Sequence, residues 1–158
     1  MDTKRYRAMR HKLKKHIGWG QLTLLAILVV TLINQLMLML GINYHFLFSA
    51  AMPYYLNWLA RQLYNGPFRV IATIVTLVLY GFYALSLIRS HQRLWFRTGM
   101  ILYALDTVLL IVFALLLLEN PLSCLLELLV HGFALLVMLN SWQARRRLVW
   151  LQAKAPKT

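Results

Sequence analysis

Leucine, valine, isoleucine and alanine fill four stretches of the chain, about 19–40, 68–88, 98–118 and 122–142, with almost no charge inside them. At roughly 1.5 Å per residue, each is long enough to cross a hydrocarbon core about 30 Å thick. The pattern predicts four transmembrane α-helices, and the residues between them mark their ends. Trp19 suits a membrane interface, Gly41 and Asn43 stop the first helix, and Asn65-Gly66-Pro67 leads into the second. A turn over 89–97 would hold Trp95 and Phe96 at headgroup level before the third helix. Asn120 is a good N-cap and Pro121 a good first helical residue for the fourth. The connection Glu119-Asn120-Pro121 is so short that the last two helices must form an antiparallel hairpin.

The segment 41–67 is longer and of a different kind. It is apolar and aromatic, yet too interrupted to span. Met52, Leu56, Leu59 and Leu63 recur at helical spacing, while Asn57, Arg61 and Gln62 fall mainly elsewhere around the helix. An amphipathic helix over 53–64 is expected, lying in the outer interface or capping the bundle. A partly re-entrant path stays open if protein covers its backbone groups. The expected fold is an all-α membrane protein, an antiparallel four-helix transmembrane bundle with one outer interfacial amphipathic helix. A basic cytoplasmic tail (1–17) precedes the four-span domain (18–142), and a second (143–158) follows; both tails are too short and polar to fold alone.

Charge orients this arrangement. Seven of the 17 Lys and Arg residues lie in 1–17, three in 89–97 and five after Trp142, while Arg61 and Arg69 stand apart. Short cytoplasmic segments collect Lys and Arg, so both termini are placed in the cytoplasm and the chain in the cell membrane. Lys4, Arg5, Arg7, Arg10, Lys12, Lys14 and Lys15, with Arg145, Arg146 and Arg147, are candidates for binding anionic lipid headgroups. The same residues flank spans and build no contiguous soluble surface, which argues against nucleic acid as the partner of a chain of net charge +13. The single cysteine, Cys124, excludes an intrachain disulfide and any CxxC redox or cysteine-based zinc site.

Polar residues inside spans are the usual place for function. The helices carry Thr31, Asn34 and Gln35; Thr73, Thr76, Tyr80 and Tyr83; Gly99, Tyr103 and Asp106; and Cys124, Glu127, His131 and Ala134, each set at helical spacing. Depth along the helices places Asn34 and Gln35 in a layer with Glu127, and Asp106 opposite Tyr80, where a hydrogen bond is expected. Glu127 and His131, one turn apart, form either a proton or cation relay or a mutual structural pair. Asp106 is either a proton- or cation-coupled carboxylate or an interhelical hydrogen bond. Two ligands in the order Glu then His, without HExxH, make no metal site. No cofactor is expected, and no nucleophile–base–orienter set marks an enzyme.

The stretch from Phe46 to Tyr55, Phe-Leu-Phe-Ser-Ala-Ala-Met-Pro-Tyr-Tyr, resembles a segment of small uncharacterised four-span membrane proteins of Gram-positive bacteria. That resemblance implies a bacterial cytoplasmic membrane and transfers no functional residue. Small multidrug resistance transporters share four short helices, but Asn34 and Gln35 stand where those carry an essential Glu. The functional expectation is a non-catalytic scaffold, accessory subunit or regulator, with a membrane-protein partner or a homo-oligomer. A small homo-oligomeric proton- or cation-coupled transporter or channel is the alternative, followed by an intramembrane or lipid-processing enzyme. If the charge bias orients the chain, green fluorescent protein fused at either terminus fluoresces in bacterial cells. Alkaline phosphatase fused there is inactive, and the opposite pattern would reverse the assigned topology.

Overall fold

The computed structural model describes residues 3–42, 46–62, 66–117 and 121–153. Five helices hold most of the described residues, with no strand among them: α1 (Thr3–Met39), α2 (Ala51–Gln62), α3 (Gly66–Ile88), α4 (Arg93–Leu117) and α5 (Pro121–Ala153). All but α2 are long and apolar enough to cross a membrane.

Helix ends follow the local chemistry. α1 closes on Gly41, whose φ of 80° is a conformation that suits glycine. The Ile42 N–H donates to the Met37 carbonyl (2.9 Å) and the Gly41 N–H to that of Leu38 (3.1 Å), a Schellman closure. Pro121 opens α5, as its fixed φ and missing N–H favour. The predicted stop at Asn43 and cap at Asn120 lie outside the described residues.

The basic segments do not remain separate tails. α1 has 37 residues and α5 has 33, each far longer than a span requires. Their extensions pack together through buried Leu13, Ala144 and Leu151, flanked by Tyr6, Ile17 and Leu148. The apolar residues recur at helical spacing within the basic sequence and give each extension a partner.

Two further clusters form the interior. Leu24, Ile27, Ala50, Tyr83, Phe96, Tyr103, Ala134 and Met138 join α1, α3, α4 and α5 around the residue preceding α2. Leu38, Ala51, Tyr54, Tyr55 and Leu110 gather around α2 itself, with Trp58, Phe113 and Leu128 against them. Cross-helix pairs give the register. Ser141 donates to the Ile17 carbonyl (3.3 Å), Gln21 to Ser90 Oγ (2.8 Å) and Tyr80 to the Thr31 carbonyl (3.3 Å). Phe96 belongs to this core and is fully buried. The helix that carries it begins at Arg93, earlier than predicted. Trp95 stays half-buried, with the Arg89 guanidinium 5.5 Å from its ring centroid.

α2 packs chiefly through small and aromatic residues. Ala51, Pro53, Tyr54, Tyr55 and Ala60 are buried, while Met52, Leu56 and Leu59 of the apolar stripe are half-buried. Leu63 lies outside the described residues. Where the surrounding solvent is lipid, leucine gains little by facing protein, and small or hydrogen-bonding residues take the contact face.

Close helix contacts fall at two glycines. A side chain on Gly20 would collide with Ser141 on α5 and meet Phe96, and one on Gly99 would meet Ser86 on α3 at 2.9 Å. Gly20→Val and Gly99→Val should each cost about 1–3 kcal/mol and lower the melting temperature in nanodiscs. Gly81, with open space around it, should accept alanine with a gain of up to about 1 kcal/mol.

Candidate functional site

α2 starts in the interior without a capping side chain of its own. Its N-cap position is Ala50, and the first N–H groups of a helix have no partner within that helix. Unsatisfied groups in a buried, apolar setting cost several kcal/mol each, so the donors must be met by other elements.

Each is met. Thr31 Oγ1 on α1 accepts the Ala50 N–H (2.8 Å) and donates to the Ile27 carbonyl (2.5 Å). Asp106, near the middle of α4, accepts the Ala51 N–H at Oδ2 and the Met52 N–H at Oδ1, both at 2.8 Å. Pro53 takes the next position and has no N–H to satisfy. A carboxylate at a helix N-terminus faces both the hydrogen-bond donors and the positive end of the helix dipole, which compensates its burial.

The approach to α2 is held just as firmly. Asn34 Oδ1 accepts the Phe46 N–H (2.8 Å), and its Nδ2 donates to the Phe46 carbonyl (2.9 Å) and Ser49 Oγ (2.8 Å). His131 Nε2 donates to the Ser49 carbonyl (2.7 Å), which fixes the proton on Nε2 because a carbonyl can only accept. The same nitrogen lies 3.8 Å from Asp106 Oδ2, and the Tyr103 ring meets the imidazole edge-on at 4.8 Å. Residues 46–52 are thus fastened by α1, α4 and α5 together.

Further along α2, Asn57 Nδ2 donates to Thr76 Oγ1 (2.8 Å) and reaches Gln35 Oε1 (3.4 Å). Tyr55 stacks on Phe113 with ring centroids 5.2 Å apart.

Asn34, Asp106 and His131 therefore converge, with Glu127 buried one helical turn from His131. Tyr80 does not join them through Asp106. Its hydroxyl donates to the Thr31 carbonyl, and both carboxylate oxygens of Asp106 serve the α2 backbone. Gln35 turns to Asn57 instead. Thr31 and Ser49 complete the site, and the missing clue was Ser49-Ala50-Ala51-Met52-Pro53, a helix start with no cap in its own sequence. Among the described residues, no three His, Cys, Asp or Glu side chains are placed to hold a metal ion.

The candidate headgroup-binding residues Lys4, Arg5, Arg7, Arg10, Lys12, Lys14 and Lys15 are exposed along α1, and so are Arg146 and Arg147 on α5. Arg145 is buried instead. Its guanidinium lies 4.4 Å from the Phe96 ring centroid and donates to the His91 carbonyl (3.4 Å), drawn inward by that aromatic face.

Four apolar helices of spanning length define a multi-pass helical membrane protein. Comparison with protein-family models, curated proteins and solved structures gives no match.

Asp106→Asn replaces one of the two carboxylate acceptors with an NH2 group that faces a backbone N–H. A loss of about 2–4 kcal/mol is expected, because a charged hydrogen bond disappears and a buried donor is orphaned. Thermal melts in nanodiscs would read it, and an unchanged melting temperature would show that Asp106 does not hold α2.

Proposed function

We propose that the chain is a non-catalytic membrane scaffold or accessory subunit, built as an antiparallel four-span bundle with both termini in the cytoplasm. In this reading α2 is a re-entrant half-helix whose N-terminus sits deep in the protein. The observation that carries the proposal is the use of Asp106: both carboxylate oxygens are engaged by backbone N–H groups of α2. Asn34, Thr31 and His131 are occupied in the same way. Side chains that would serve a transported ion are committed to holding one segment in place, and a rigid body suits a protein that positions others. The long helices α1 and α5 offer their exposed basic faces for a partner or for anionic headgroups.

A small homo-oligomeric proton- or cation-coupled transporter or channel is the second reading. It is favoured by the 3.8 Å approach of His131 Nε2 to Asp106 Oδ2, with Glu127 a turn away.

One pair of experiments separates them. Liposomes containing the protein should pass protons and alkali cations no faster than empty liposomes under an imposed gradient. Flux that Glu127→Gln abolishes in a variant with the wild-type melting temperature would establish the transporter instead. Native mass spectrometry of the protein extracted from its membrane should show a second membrane protein bound, and removal of residues 1–16 should release it.

A further inference from the structure

A groove of about 690 Å³ opens between α1, α2 and α3, at the end of the bundle remote from the paired extensions of α1 and α5. Arg61, from the last turn of α2, and Arg69, from the first turn of α3, line it together. These are the two basic residues that stand outside the three basic segments of the chain. Among the described residues, no acidic side chain lines the groove. Two like charges sharing one cavity repel each other, and an anion held between them relieves that repulsion.

Its remaining walls are of two kinds. Below the arginines, Thr73, Thr76 and Gln35 face the groove, and the polar strip from Arg69 to Tyr80 runs roughly 16 Å along α3. Gln35 uses its oxygen to accept from Asn57, leaving its NH2 as a donor, while Thr76 Oγ1 accepts from Asn57 and keeps its own proton to donate. Met39 and Leu77, which are 66% and 64% exposed, form the side that opens laterally. A free anion would leave this apolar side unused.

We propose that the groove binds one anionic glycerophospholipid. The Arg61 and Arg69 guanidiniums hold its phosphate, as their planar forks do bidentately. The hydroxyls of a glycerol-type headgroup meet Thr73, Thr76 and Gln35, and the acyl chains leave past Leu77 and Met39 into the bilayer. This site is separate from the exposed lysines and arginines of α1 and α5, and it requires neither the scaffold nor the transporter reading.

The test uses the full chain in nanodiscs of equal parts phosphatidylglycerol and phosphatidylcholine, transferred to detergent and analysed by native mass spectrometry. One phosphatidylglycerol per chain should survive transfer. R61Q/R69Q should reduce its retention by about tenfold or more, a factor equivalent to roughly 1.4 kcal/mol. R146Q/R147Q, on the opposite basic surface, should retain it. R61K/R69K keeps the charge and should hold the lipid at least in part. Equal retention of phosphatidylcholine, or undiminished phosphatidylglycerol on R61Q/R69Q, would overturn the proposal. Release of the lipid by millimolar glycerol 1-phosphate would assign the groove to a free anion and also overturn it. Loss of lipid from the Gln and Lys pairs alike, with a lowered melting temperature in both, would give the arginines a folding role only.

Discussion

The start of α2 governs this structure, because a helix N-terminus inside an apolar body presents several N–H groups that water cannot reach. Every strategy for satisfying them has to come from neighbouring helices. Here α1 contributes Thr31 and α4 contributes Asp106, while Pro53 removes one donor from the problem. The register of α1 against α4 is set by this requirement. A shift of one turn, about 5.4 Å, would pull either acceptor out of reach.

The same constraint explains why charge is tolerated in the interior. An isolated buried carboxylate is costly, and pairing it with a buried cation is a weak remedy because both ions lose hydration. Asp106 is compensated by fixed dipoles instead, the N–H groups and the aligned peptides of α2. His131 stands beside it but directs Nε2 to the Ser49 carbonyl at 2.7 Å, nearer than the 3.8 Å to Asp106. The imidazole is thereby committed to the backbone, and the segment 46–52 is gripped from both sides.

Much of this was legible in the chain, and the part that was not has a physical reason. The four long helices follow from uninterrupted apolar runs, and Gly41 and Pro121 mark ends where the local backbone rules apply. The polar faces were legible too, since Asn34, Asp106, Glu127 and His131 are all buried. Their partners were not, because both carboxylate oxygens of Asp106 bind backbone N–H groups, and every residue except proline has one. Pairing Asp106 with Tyr80 assumed that side chains would meet side chains. The contact face of α2 was also hidden: Met52, Leu56 and Leu59 form a stripe that water would drive inward, but lipid exerts no such preference, and they are only half-buried.

The extensions of α1 and α5 couple these intramembrane constraints to the basic surface. Leu13, Ala144 and Leu151 continue the contact that Gly20 and Ser141 make possible, so the two helices stay packed together from the core outward. Arg145 lies at the junction, with its charge over Phe96 and its hydrogen bond to His91 in the turn between α3 and α4. A guanidinium in that position ties α5 to α4 and to the turn before it. Exposed Arg146 and Arg147 follow it directly on the same helix. The basic surface therefore belongs to the α1–α5 pair, whereas the Arg61–Arg69 groove is formed by α1, α2 and α3 at the other end. The two charged regions share α1 as their common element, and the segment anchored by Thr31 and Asn34 lies between them.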